Sequence, residues 1–278
     1  MLLIANRILR KVGYLNDRGH VLRLGVAQVT QGKEGMTWAE ARKISLLKDR
    51  PEGYPLKITG ITEDGVLDRS TNSLTELTGP EDQRHIPGGK FAAKINAKLH
   101  ISQQKDVFIY VHGYKVVFEN PLLVASELWN FLGYEGSFIA FSWPSTPDTL
   151  AYFADLETAA LSAGSLRVLI QYLAEQTEAQ RIHIIGYSAG TRVVAQALDQ
   201  LALIHSGMAD ADGSEKWRIG QVILTGSDIL ATLALDLKPG DRGLERLNDN
   251  PIWSFSENYV GKLHTAIERE GSKLCLID

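Results

Sequence analysis

RIHIIGYSAGTRVVAQAL, residues 181–198, is the stretch whose reading decides the fold. An apolar run rich in isoleucine breaks at Gly186-Tyr187-Ser188-Ala189-Gly190, and a helical pattern follows with Val193, Val194, Ala197, Leu198 and Leu201 on one face. Strand, sharp turn and helix in that order are the context in which a serine is lifted out of the backbone. A turn that tight admits only small residues two positions to either side, which accounts for Gly186 and Gly190. The opening turn of the helix aims unpaired N–H groups at the same place. An oxyanion formed beside Ser188 would meet the Ala189 N–H and the positive end of the helix dipole. Ser188 is therefore the candidate nucleophile, and Tyr187, its neighbour in the turn, is placed with the binding residues.

Three further short apolar runs share this grammar: DVFIYVHGY (106–114), SFIAFSWPS (137–145) and QVILTGSD (221–228), with helix-like segments between them. Strands rich in Val, Ile and Phe that alternate with helices predict an α/β, doubly wound fold: a mostly parallel sheet with helices on both faces. The long segment 147–179 reads as a core-facing helix, with Leu161, Leu166, Leu169 and Leu173 near helical spacing. The first of the three runs ends in His112-Gly113-Tyr114. A His-Gly turn at that point supplies a second oxyanion N–H, here from Tyr114 or a near neighbour such as Gly113, with His112 orienting the turn. Trp143 ends the next strand on the same rim, where it either lines an acyl pocket or simply packs.

VFIYVHGY, FIAFSWPS, HIIGYSAGTRVV and QVILTGSD, in this order and spacing, resemble a bacterial α/β-hydrolase family of unknown function within the esterase/lipase superfamily. The resemblance covers about residues 91–228 and implies a serine hydrolase with Ser188 as nucleophile. It also exposes an anomaly. SDILATLALDLKPGDRGLERLNDNPIWSF (227–255) resembles the family's tail after the histidine loop, as though the segments carrying acid and histidine were skipped. After Gly226 only 52 residues remain, whereas two more strand-helix units need on the order of 60 to 80. The C-terminal part is expected to be shortened or rearranged.

In this fold the acid and then the histidine follow the serine in the chain. Asp228, at the carboxyl end of the fourth run, and His264, in the helix-like ENYVGKLHTAIEREG, are the candidates that complete a triad. His205 lies too far down the helix that follows Ser188, and His183 reads as a residue of the sheet. His112 is the alternative base, because parallel order puts its strand beside that of Ser188. A third alternative is an impaired hydrolase fold that serves as a binding or interaction module.

Composition narrows the rest. With 278 residues, 44% of them hydrophobic, the chain can bury a sizeable core. A formal net charge of -4 leaves no basic stripe for nucleic acid. Cys275 is the only cysteine, which removes disulfides within the chain and thiolate-held zinc and suits a reducing, cytoplasmic setting. The opening MLLIANRILRK is apolar for only four residues, too short for a leader or a membrane span. Residues 1–90, with strand-like runs at 20–30 and 54–62, are expected to form a strand-rich extension packed on a hydrolase domain at 91–278. Acyl transfer at Ser188 on a small ester needs no metal or organic cofactor. A sheet edge left bare by the shortened C-terminal part predicts a homo-oligomer.

Overall fold

In a computed structural model of the chain, the structure describes residues 1–10, 13–31, 35–37, 40, 43, 56–71, 80–146, 152–206, 216–226 and 273–277. The strands are β1 (Leu2–Arg10), β2 (Gly13–Gln31), β3 (Leu56–Val66), β4 (Asp106–Val111), β5 (Ser137–Ser142), β6 (Arg181–Tyr187), β7 (Ile219–Thr225) and β8 (Lys273–Ile277). They form one eight-stranded sheet in the order β3-β2-β1-β5-β4-β6-β7-β8. From β1 to β8 every neighbour is parallel, while β2 pairs antiparallel with both β1 and β3. The fold is α/β.

The N-terminal residues do more than pack on this sheet. Leu2, Leu3, Ile4 and Ala5 pair in register with Ile139, Ala140, Phe141 and Ser142, so β1 is an inner strand of the same sheet and carries β2 and β3 outward. The strand-rich N-terminal segment is thus continuous with the sheet. At the opposite edge, Lys273–Ile277 pairs with Gln221–Thr225, which makes KLCLI the last strand.

Among the described residues, four α-helices cover the faces: α1 (Ile86–His100), α2 (Asn120–Phe131), α3 (Tyr152–Gln176) and α4 (Gly190–Ser206). α1 carries Pro87 in its first turn, where the missing N–H costs nothing, and buries Phe91, Ala92, Ile95 and Leu99 at spacings of three and four. Strand residues alternate between two cores. Val107, Ile109 and Val111 meet α1, α3 and α4, while Tyr110 joins Phe138, Ala140 and α2 on the other side. The predicted inner face of α4, from Val193 to Leu201, is buried residue for residue. Leu161 departs from expectation: it is 61% exposed, and Ala159 and Ala163 fill the core positions around it. Small residues there let α3 lie close to the sheet.

Candidate active site at the carboxyl rim

β6 ends at Tyr187 and α4 begins at Gly190, so Ser188 and Ala189 alone make the turn. Ser188 has φ of +49°, a left-handed conformation that a residue with a Cβ adopts only under constraint. The constraints are visible. The Ser188 N–H continues the ladder by donating to the Thr225 carbonyl (3.0 Å). Its carbonyl accepts from the Thr191 N–H (2.9 Å) and hydroxyl (2.6 Å). Both flanking glycines sit in tight quarters, Gly190 the tighter of the two. A Cβ at Gly190 would lie 2.4 Å from both the Val111 and His112 carbonyl oxygens. At Gly186 it would meet Val194 Cγ2 at 3.1 Å and Leu224 Cδ2 at 3.2 Å. Ser188 is half-buried, Ala189 is buried as the α4 backbone begins, and Tyr187 is 48% exposed.

β4 lies beside β6, with Val111 paired to Gly186, which brings the His112-Gly113-Tyr114 turn against the serine. A Cβ at Gly113 would stand 2.9 Å from Ser188 Cβ and 3.4 Å from its Oγ, so only a glycine lets the two turns approach. His112 is fully buried and stacks on Trp143, with ring centroids 5.2 Å apart and planes 9° from parallel. Its Nδ1 lies 2.7 Å from the Gly113 carbonyl and its Nε2 3.0 Å from the Trp143 carbonyl. In return, Trp143 Nε1–H donates to the His112 carbonyl at 2.6 Å. Burial, and secondarily the charge of Arg7, push the His112 imidazole down to about 3 against the pull of the two carbonyls. The ring is neutral, with one N–H to give.

Trp143, which could line a pocket or simply pack, has no exposed surface and stacks on His112. Tyr114 is half-buried against the larger core. His183 lies at the other end of β6, where its Nδ1 accepts the Gln221 N–H (2.9 Å), in keeping with a sheet residue. His205 sits in the last turn of α4, about 22 Å along the helix from its start. Asp228 and His264 lie outside the described residues. Among the described residues, no group of three His, Cys, Asp or Glu side chains converges as a metal would require. Nor is any helix there long and apolar enough to cross a membrane.

Sequence reasoning missed two buried polar residues next to this rim. Arg7 and Ser145 both hydrogen-bond to Val116, three residues beyond Gly113. Ser145 falls within FSWPS, already placed on the rim, but nothing in MLLIANRILR marks Arg7 as more than an interruption of an apolar run.

A parallel sheet flanked by helices on both faces, with a strained Gly-x-Ser-x-Gly turn on its carboxyl rim, defines the α/β-hydrolase class. Residues 89–238, more than half the chain, match the family described as alpha/beta hydrolase of unknown function (DUF900), and the chain belongs to that family. The uncharacterized protein alr1448 of Nostoc sp. (strain PCC 7120) is 35% identical over 65 residues, 23% of this chain and 17% of that protein. The match thus spans about a sixth of that relative's length. Among solved structures, a lipase-esterase related protein from Clostridium acetobutylicum aligns with 63% of this chain and 86% of its own. That alignment has 12% sequence identity and a TM-score of 0.28.

Proposed function

We propose that the chain is a serine hydrolase that cleaves carboxylic esters through an acyl-enzyme at Ser188. The observation that carries this reading is the positive-φ turn at Ser188, pressed against Gly113 and opening directly into α4. A hydroxyl on such a corner stands clear of its own backbone. Ser188 Oγ would attack the ester carbonyl carbon, and the carbonyl oxygen would take up the negative charge. The N–H groups of Ala189 and of Tyr114 or its neighbour would hold that charge. Collapse of the tetrahedral species expels the alcohol, and water then releases the acid from the serine.

The attack needs a base, and His112 is unsuited to it. It is fully buried, both its ring nitrogens face carbonyl oxygens, and its affinity for a proton is depressed far below neutrality. Asp228, three residues beyond the end of β7, and His264 are the acid and base of this reading. A fluorophosphonate probe tests it. The wild type should be labelled and turn over a p-nitrophenyl ester, and Ser188→Ala should lose both. His264→Ala should slow turnover by about a hundredfold or more. A wild-type chain that resists labelling at high probe concentration would defeat the enzyme reading and favour a binding module on the same rim.

A further inference from the structure

Arg7 lies on β1, outside the residues that match the family, and is fully buried. Burying a guanidinium is costly unless its N–H groups are met. Here each of its nitrogens has a partner: Nε–H donates to Ser142 Oγ (3.1 Å), one terminal nitrogen to Asn16 Oδ1 (2.5 Å), and the other to the Val116 carbonyl (3.3 Å). All three acceptors are neutral. One rigid fork thereby ties the end of β5 and a residue of β2 to the segment that follows Gly113 and Tyr114. Ser145 grips the same residue from β5's side. Its Oγ accepts the Val116 N–H (3.1 Å) and donates to the Val116 carbonyl (3.0 Å). Between these anchors and Gly113, Lys115 stands at φ of +60° with its side chain exposed, a conformation that must be imposed from outside.

We propose that Arg7 is a positioning residue: it fixes the 113–117 turn so that the turn's backbone amide faces the Ser188 hydroxyl. The effect on reaction rate rests on the reading of Ser188 as nucleophile, whereas the hold on the turn does not. The geometry of the fork is what matters, because a lysine offers one point charge where Arg7 spans three partners.

The full chain and its Arg7→Lys, Arg7→Met and Ser145→Ala variants are compared by amide hydrogen exchange and by the rate of fluorophosphonate labelling. Exchange across 113–117 should quicken about tenfold in every variant, with β4 and β6 unchanged, and labelling should slow by about tenfold. Arg7→Lys keeps the charge, so a loss there assigns the effect to the fork. Should Arg7→Met fail to unfold cooperatively, Arg7→Lys carries the test. Unchanged exchange in folded Arg7→Lys overturns the hold on the turn. Faster exchange with unaltered labelling overturns the link to rate. If the wild type takes no label, the nucleophile reading falls and the rate link with it, while exchange still decides whether Arg7 holds the turn.

Discussion

At the amino ends of β4 and β6, Asp106 receives a two-pronged hydrogen bond from Arg181 (3.0 and 2.9 Å) and lies 3.3 Å from His183 Nε2. At the carboxyl ends of the same strands, His112 meets only backbone carbonyls and an indole ring. Both histidines are buried, and burial lowers the proton affinity of each. At His183 the nearby Asp106 carboxylate opposes that effect; at His112 the cation of Arg7 adds to it. One end of the sheet is closed by paired charges on tight backbone: Arg218 stands at φ of +53° and a Cβ at Gly136 would lie 2.3 Å from the Asp106 carbonyl oxygen. The other combines close backbone approach, positive φ at Ser188 and Lys115, and a histidine held neutral. Tight backbone occurs at both ends, so the ends differ in charge and not in strain: paired ions at one, an uncharged histidine beside the Ser188 turn at the other.

The largest effect should follow from closing the gap at the carboxyl end. Gly190→Ala places a Cβ against two carbonyl oxygens that cannot swing aside, at a cost of about 3 kcal/mol, near the top of the range for overpacking. Urea unfolding measures it, and a loss below about 1 kcal/mol would show that the turns are not in contact. Acid comes next. His112 falls from its ordinary 6.5 to about 3 on folding, so between those values the unfolded chain binds a proton that the folded chain refuses. Stability therefore declines as pH drops through that window. From pH 6.5 to 5 the wild type should lose about 1.6 kcal/mol more than His112→Gln, since the slope reaches its full 1.36 kcal/mol per unit only below the unfolded value. Equal slopes for the two proteins would mean that His112 is not held neutral.

How far these two ends could be read in advance follows from what each is made of. β4, β5, β6 and β7 are buried strands of a parallel sheet, so their apolar runs declare themselves, and the glycines around Ser188 announce a turn. β1 is an inner strand beside β5, yet Asn6 and Arg7 interrupt its apolar pattern, and partners mostly from distant segments, Ser162 for Asn6 and Ser142 and Val116 for Arg7, make their burial tolerable. Pairings across more than a hundred residues leave no local periodicity. The same holds for Trp143: an aromatic residue at a strand end has one spelling whether it faces a cavity or braces a histidine. Likewise β2 reads as a strand from residue 20 but starts at Gly13, because its polar first residues are held by pairing with β1 rather than by burial of a face.

The amino end yields the smaller effects, and two carboxylates there separate burial from mere pairing. Asp106 is 3% exposed, and Asp106→Asn removes the charge from the Arg181 and His183 contacts together, for a loss of about 1.5 kcal/mol in urea unfolding. Labelling of Ser188 should not change, since a strand of six residues spans about 20 Å. Slower labelling in Asp106→Asn would mean the two ends are coupled, and the contrast between them would fail. Glu178 also carries two ion pairs, with Lys105 and His100, but all three side chains are more than a third exposed. Water screens such charges and their side chains lose entropy on pairing, so Glu178→Ala should shift stability by less than about 0.5 kcal/mol. If Glu178→Ala costs as much as Asp106→Asn, pairing rather than burial sets the worth of a carboxylate at this end.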